Sequence, residues 1–137
     1  MKKVLIDPSI AVASLNLSPR KLENDLNTLG FLFENLCIRD LNVYTMSERG
    51  VVSYYADSFG LEVDCVLHLR DGRYALIEFK LGSKEIDKGA ANLLKINNLI
   101  NQNDQMQKPC FLAIITGGKF AYTREDGIKI IPIGCLR

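Results

Sequence analysis

This 137-residue chain has a single histidine, His68, and no pair of cysteines in C-x-x-C spacing, so it lacks the usual donors of a zinc site. Its four cysteines, Cys37, Cys65, Cys110 and Cys135, lie far apart, and Cys37 and Cys65 fall in apolar runs that read as buried free thiols. Surplus charge is also missing. With 17 basic and 16 acidic residues the net charge is +1, which argues against a tight, autonomous hold on nucleic acid. A local basic rim, or binding supplied by another module, stays open. There is no signal peptide and no apolar run long enough to span a bilayer, so the expected compartment is the cytoplasm, with no membrane partner. Internal repeats and low-complexity tracts are absent. Gly117-Gly118-Lys119 is no P-loop, because no earlier glycine stands at the required spacing and no Ser or Thr follows the lysine. The length fits one domain, 1–137, in which 1–29 forms a helical N-terminal extension.

The most informative stretch runs from Leu61 to Lys80. Two alternating runs flank Asp71-Gly72, a hairpin signal. Leu61, Val63, Cys65, Leu67 and Leu69 share one face of the first run, and Glu62, Asp64, Val66 and His68 the other. In the second run Ala75, Ile77 and Phe79 oppose Tyr74, Leu76, Glu78 and Lys80. A two-residue loop would set Asp64 opposite Phe79 and split the acids between faces. A three-residue loop, Arg70-Asp71-Gly72 with Gly72 at positive φ, sets Leu69 opposite Arg73, Asp64 opposite Glu78 and Glu62 opposite Lys80. That register, which puts Leu61, Val63, Cys65, Leu67 and Leu69 on one side with Ala75, Ile77 and Phe79, is the one expected.

Two carboxylates and a lysine then gather at one end of the hairpin. Like charges placed opposite each other are destabilising unless neutralised. A divalent cation such as Mg²⁺, with one or two carboxylates and several waters, is one solution. A solvated strand face with a cross-strand Glu62–Lys80 ion pair is the other.

Along the rest of the chain, Asp7-Pro8 and Ser18-Pro19 read as N-cap and first helical residue of two segments, ending near Leu15 and Leu29. Phe31 to Leu41 reads as a helix buried on two sides. On it Glu34 is either a partly exposed glutamate reaching solvent past Gly30 or a third acid aimed at the hairpin. Val43-Tyr44-Thr45 reads as a short extended piece and Val51–Ala56 as a strand. Tyr54 and Tyr55 point to opposite faces of it, so that one of them could line the site. A helix follows Lys80, clearest from Ala90 to Ile100, with its apolar stripe through Leu93, Leu94 and Asn97. Lys84, Lys88 and Lys95 on or before it form either a solvated face or a phosphate-binding rim. Pro109–Thr116 reads as a buried strand parallel to the one ending at Lys80. Phe120–Arg124 and Ile128–Ile133 form a closing hairpin around Glu125-Asp126-Gly127, and Pro132 marks its last strand as an edge. The expected fold is α/β, a central mixed sheet flanked by helices in the order α-β-β-β-α-β plus the terminal hairpin.

Asp64, thirteen intervening residues and then Glu78-Phe79-Lys80 resemble the signature of the PD-(D/E)xK nuclease superfamily. Asp7-Pro8-Ser9, Gly30-Phe31-Leu32-Phe33-Glu34-Asn35, Glu62-Val63-Asp64, Ile77-Glu78-Phe79-Lys80 and Ile131-Pro132 together resemble the nuclease-like C-terminal domain found behind an AAA+ ATPase module in prokaryotic proteins (domain of unknown function family 4143). The resemblance implies a restriction-endonuclease-like core and metal-dependent hydrolysis of DNA phosphodiester bonds. It implies Mg²⁺ or Mn²⁺ on Asp64 and Glu78 with the Phe79 carbonyl as a further ligand, Glu34 assisting, and Lys80 orienting or activating water. It also implies DNA and an ATPase module as partners, with a homodimer left open. In that family a stretch like 1–29 joins the ATPase to the core; here it begins the sequence, as in a truncated homologue or a fragment. The competing expectation is a catalytically silent nuclease fold that binds DNA or a partner ATPase.

Overall fold

A computed structural model describes residues 5–136. The N-terminal helices start where local chemistry dictates. Asp7 caps α1 (Pro8–Ser14) by accepting from Ser9 N–H at 2.8 Å, and Ser18 caps α2 (Pro19–Asn24) by accepting from Lys21 N–H at 3.3 Å. The second segment does not run on to Leu29. Asp25 leaves helical geometry and caps a new helix, α3 (Leu26–Tyr44), through Thr28 N–H and Oγ1. The helix α3 extends through Val43 and Tyr44, where extended chain was expected, because its hydrogen-bond ladder continues to Thr45 N–H on the Leu41 carbonyl. The β-branched Val43 yields to that ladder. Asn35 is buried on α3; its Nδ2 donates to the Phe31 carbonyl and its Oδ1 accepts from Leu5 N–H, tying the N-terminal segment down.

Six strands follow: β1 (Val51–Ala56), β2 (Glu62–His68), β3 (Tyr74–Lys80), β4 (Phe111–Thr116), β5 (Tyr122–Thr123) and β6 (Lys129–Pro132). They form one mixed sheet in the order β1-β2-β3-β4-β6-β5. A short 3₁₀ turn (Ser83–Glu85) and α4 (Ile86–Asn101) carry the chain from β3 to β4, which pair in parallel as expected of a helical crossover. The α/β class and the element order match expectation. Pro132 does not mark an edge strand, since β6 lies between β4 and β5. Pairing to β5 involves only Lys129 and Ile130, so the proline's missing N–H interrupts no ladder on that side.

The sheet is covered on both faces. Phe33, Cys37 and Leu41 of α3 pack on Cys65, Ala75, Ile77, Phe79, Ala113 and Ile115. On the opposite face Ile86, Ala90, Leu93, Ile96 and Ile100 of α4 pack on Val63, Val66, Leu76, Ile114 and Ile130. Ile96, rather than Asn97, completes the α4 stripe. Each such fully buried Leu or Ile contributes about 1.5–3 kcal/mol. The face that bears the hairpin charges is therefore no solvated face: α4 lies over it.

From Leu69–Arg73 to Cys65–Ile77 the β2–β3 register is the expected one, but the pairs expected beyond it, Asp64 opposite Glu78 and Glu62 opposite Lys80, are not in the ladder. Cys65 pairs with Ile77 and His68 with Tyr74, Leu69 N–H donates to the Arg73 carbonyl, and Gly72 has φ +91°. The alternation of β2 breaks at Asp64, however. Pairing to β1 slips between Ser53–Val66 and Tyr55–Val63, which leaves one extra residue in β2. Val63 consequently packs under α4, not on the Cys65 side. The paired ladder to β3 ends at Cys65–Ile77.

Candidate functional site

The bulge at Asp64 and the C-terminal end of β3 build one cluster. Where the ladder stops, Phe79 N–H donates to Asp64 Oδ2 at 3.0 Å, so a side chain takes the place of a strand carbonyl. Glu78 and Lys80 alternate with Phe79 and so project to the α4 side. Lys80 Nζ lies 2.8 Å from Glu78 Oε2 and 3.6 Å from Asp64 Oδ2. The side chains are 14% (Asp64), 5% (Glu78) and 20% (Lys80) exposed, so the cluster is largely desolvated but opens to solvent at the lysine. The cross-strand Glu62–Lys80 pair does not form. Glu62 is exposed and accepts from Tyr54 Oη at 2.6 Å, because the slip in β2 turns it toward β1.

Two residues of α4, neither of them among the sequence candidates, complete the arrangement. Asn92 Nδ2 donates to Glu78 Oε1 at 2.8 Å and to the Glu62 carbonyl at 2.8 Å, bracing the acid against the start of β2. Gly89 lets the lysine pass: a Cβ there would lie 3.1 Å from Lys80 Cε and 3.3 Å from Ile114 Cδ1. A glycine inside a helix costs about 1 kcal/mol relative to alanine, and that was the available signal of a packing reason at position 89. Asn92 stands beside the buried Leu93 and gave only the weaker signal of a polar side chain at the margin of an apolar stripe.

The electrostatics follow from this packing. Burial, and then the Asp64 charge, push the Glu78 carboxyl up to about 7, against the opposing pull of Lys80 and Asn92. For Lys80, burial acts downward, but the Glu78 hydrogen bond and charge and the Asp64 charge outweigh it and leave the ammonium above its ordinary value. Burial raises both Cys37 and Cys65, the latter to about 12, so both thiols are inert.

The other candidates stand further out. Glu34 is half-buried on α3, close enough to Cys37 for its charge to act on that thiol. Among the described residues no group of three or more His, Cys, Asp or Glu side chains could hold a metal ion, so Glu34 does not join Asp64 and Glu78 in a three-acid centre. Phe79 points its ring into the α3-side core. Lys84 is exposed in the 3₁₀ turn, and Lys88 and Lys95 are exposed on α4. Lys88 adjoins the Gly89 over which Lys80 runs.

The Asp64–Glu78 pair offers hard oxygen donors from two carboxylates, the number Mg²⁺ takes from protein when waters supply the rest. Two partly desolvated acids, one of them hard to ionise, are also a site that a divalent charge would relieve. The donor set thus fits Mg²⁺ or Mn²⁺ with a mostly aqueous shell. It does not fit zinc, for want of nitrogen and sulfur donors.

Among the described residues no helix is long and apolar enough to cross a membrane. In comparisons with known proteins, the model of the family described as Domain of unknown function (DUF4143) matches residues 29–136, from α3 to the C-terminal turn. No curated protein and no solved structure matches the chain.

Proposed function

The chain belongs to that family, and from this premise we propose that it is a metal-dependent phosphodiester hydrolase acting on DNA, with Asp64, Glu78 and Lys80 as its centre. The observation that carries the reading is the sharing of one ammonium by two carboxylates in a largely desolvated cluster, with Glu78 raised to about 7. Asp64 and Glu78 would hold the cation. Bound there, Mg²⁺ would polarise a phosphoryl oxygen and acidify a water. Lys80 Nζ, the group nearest both acids, would orient the attacking water or counter negative charge on the phosphate. Asn92 fixes Glu78 Oε1, and the Phe79 amide fixes Asp64 Oδ2, so both acids keep one oxygen anchored. The exposed Lys84 and Lys88, next in sequence to this end of β3, suit a rim for the backbone of the substrate.

A second reading is a catalytically silent module that binds DNA or a partner ATPase. It is favoured by the lysine itself, which already pairs with both acids at 2.8 and 3.6 Å. The exposed apolar residues Ile10 and Leu15 of the N-terminal helices suit a protein partner. The two readings separate in a cleavage assay on linear, branched and single-stranded DNA with Mg²⁺ or Mn²⁺. Hydrolysis is expected to require the metal and to fall at least about 100-fold in Lys80→Ala. Equal rates for wild type and Lys80→Ala would assign the cleavage to something else. Absence of cleavage, with titration calorimetry finding no Mg²⁺ binding, would leave the silent module.

A further inference from the structure

A cavity of about 450 Å³ opens between β1, β2 and the C-terminal half of α4, and neither the acids nor the lysines use it. Tyr54, Tyr55, His68, Tyr74, Ile96 and Met106 are among its lining residues. It is walled by flat rings. His68 and Tyr74 stack with centroids 5.8 Å apart and planes inclined by 26°, and Tyr54 and Tyr55 remain 38% and 45% exposed at its mouth. No lysine or arginine lines the cavity, and Oδ1 of its one carboxylate, Asp57, is occupied by the amides of Phe59 and Leu61. Such a lining suits a planar, uncharged aromatic group and not a phosphate.

The cavity adjoins the acid cluster. Val63, next to Asp64, lines it. Tyr54 lines it and donates to Glu62, whose carbonyl is held by the same Asn92 amide that holds Glu78. Ile96 of its wall follows Asn92 by four residues on α4, about one helical turn of 5.4 Å. A strand with a phosphate at Asp64 and Glu78 would therefore meet the cavity at Tyr54, which is tied to Glu62, whereas Tyr74 lies four β3 residues from Glu78, about 13 Å further along.

We propose that this cavity receives a nucleobase of the strand being cut, which makes the protein selective for single-stranded or locally unpaired nucleic acid. A base inside a duplex stack cannot enter, whereas an unstacked base gains the aromatic faces. The inference rests on the phosphodiester-hydrolase reading and specifies its substrate.

The test uses Lys80→Ala protein in Mg²⁺, so that the strand is held and not cut. The probes are an oligonucleotide carrying 2-aminopurine, the same sequence with an abasic position, and the blunt duplex. The 2-aminopurine emission is expected to change on binding. The single strand should bind about tenfold tighter than the duplex, and adding Tyr55→Ala or Met106→Ala should weaken single-strand binding by about the same factor. Both positions are about half-exposed, and unchanged melting temperatures will show that the folds are intact. Equal affinity for single strand and duplex, or variants that bind like their parent, would overturn the base pocket. If wild-type protein then still cleaves DNA with Mg²⁺, the hydrolase reading stands without it. Wild-type protein that neither binds nor cleaves any of these probes would remove both.

Discussion

Glu78 makes the stability of the metal-free protein depend on pH in an unusual direction. The carboxyl titrates near 4.5 in an ordinary setting and near 7 here, first because it is buried and second because Asp64 is charged beside it. The native state therefore holds this proton more tightly than the unfolded chain does. Stability falls as pH rises wherever the native state binds more protons, so this group's penalty is absent below about 4.5 and complete above about 7. At 1.36 kcal/mol per pKa unit the window is worth roughly 3 kcal/mol. In a domain of this size that corresponds to about 10 °C in melting temperature. Other shifted groups act outside the window. The surface aspartates Asp7, Asp25 and Asp71 are lowered and lose their contribution only below the ordinary aspartate range, and Lys80 is raised from 10.5 and matters only in strong alkali. The assay is thermal melting in EDTA from pH 8 to pH 5, with wild type and Asp64→Asn. The asparagine can keep its bond to Phe79 N–H through Oδ1 while removing the second cause of the shift; two unit charges about 5 Å apart at an effective dielectric of 20 repel by roughly 3 kcal/mol before screening. Wild type should become more stable as pH falls from 8 toward 5. The variant should show a flatter profile, melt higher than wild type at pH 8, and gain less from Mg²⁺. Parallel profiles for the two proteins, or a wild type whose stability drops between pH 7 and pH 5, would refute the reasoning.

Two α4 substitutions probe how the cluster is held. Asn92→Ala removes a donor from Glu78 Oε1 and from the Glu62 carbonyl; carboxyl titration by NMR should find Glu78 above 7, melting at pH 8 should show a loss of about 1–2 kcal/mol, and calorimetry should show Mg²⁺ binding weakened 10- to 100-fold. An unchanged Glu78 titration would mean that this amide does not stabilise the ionised acid. Gly89→Ala gains about 1 kcal/mol of helix propensity, but its Cβ would crowd Lys80 at 3.1 Å. Net stability should therefore move by less than about 1 kcal/mol while Glu78 titrates higher and Mg²⁺-dependent cleavage slows, and a variant that cleaves at the wild-type rate would show that the path of Lys80 over the glycine is not needed.

The silent-module reading and the hydrolase reading make the same demand on the fold, since both need β3 to end beside α4. They differ in the lysine. A silent module needs the lysine only as a counter-charge to the acids, whereas a hydrolase also needs it open to water and substrate. Here Lys80 keeps a fifth of its side chain exposed. That opening is what a water or a phosphate would use.

Periodicity and turn chemistry determined the framework from the sequence alone. The Asp71-Gly72 turn with Gly72 at positive φ, the Cys65–Ile77 register, the parallel β3–β4 crossover and the caps at Asp7 and Ser18 are short-range or pattern-level facts, written in residues that have few alternatives. The approach of Glu78 and Lys80 to Asp64 was legible only in part, because the ladder stops at Cys65–Ile77 and the bond from Phe79 N–H to Asp64 Oδ2 closes the remaining step. The break at Asp25, the helical Val43, the interior position of β6 and the bulge at Asp64 were not legible. The interior position of β6 and the bulge at Asp64 depend on strands distant in sequence, whereas the break at Asp25 is set by its local cap on Thr28 and the helical Val43 by the α3 ladder, which outweighs a weak preference. The site shows the same division. Its charges could be read along one hairpin, but Asn92 and Gly89 reach it from a helix that packs across the sheet, and Glu62 turns away only because an extra residue in β2 rotates it toward Tyr54. Which acid is hard to ionise is likewise a tertiary fact. Desolvation depends on how closely α4 covers the end of β3, and no spacing within the sequence encodes that distance.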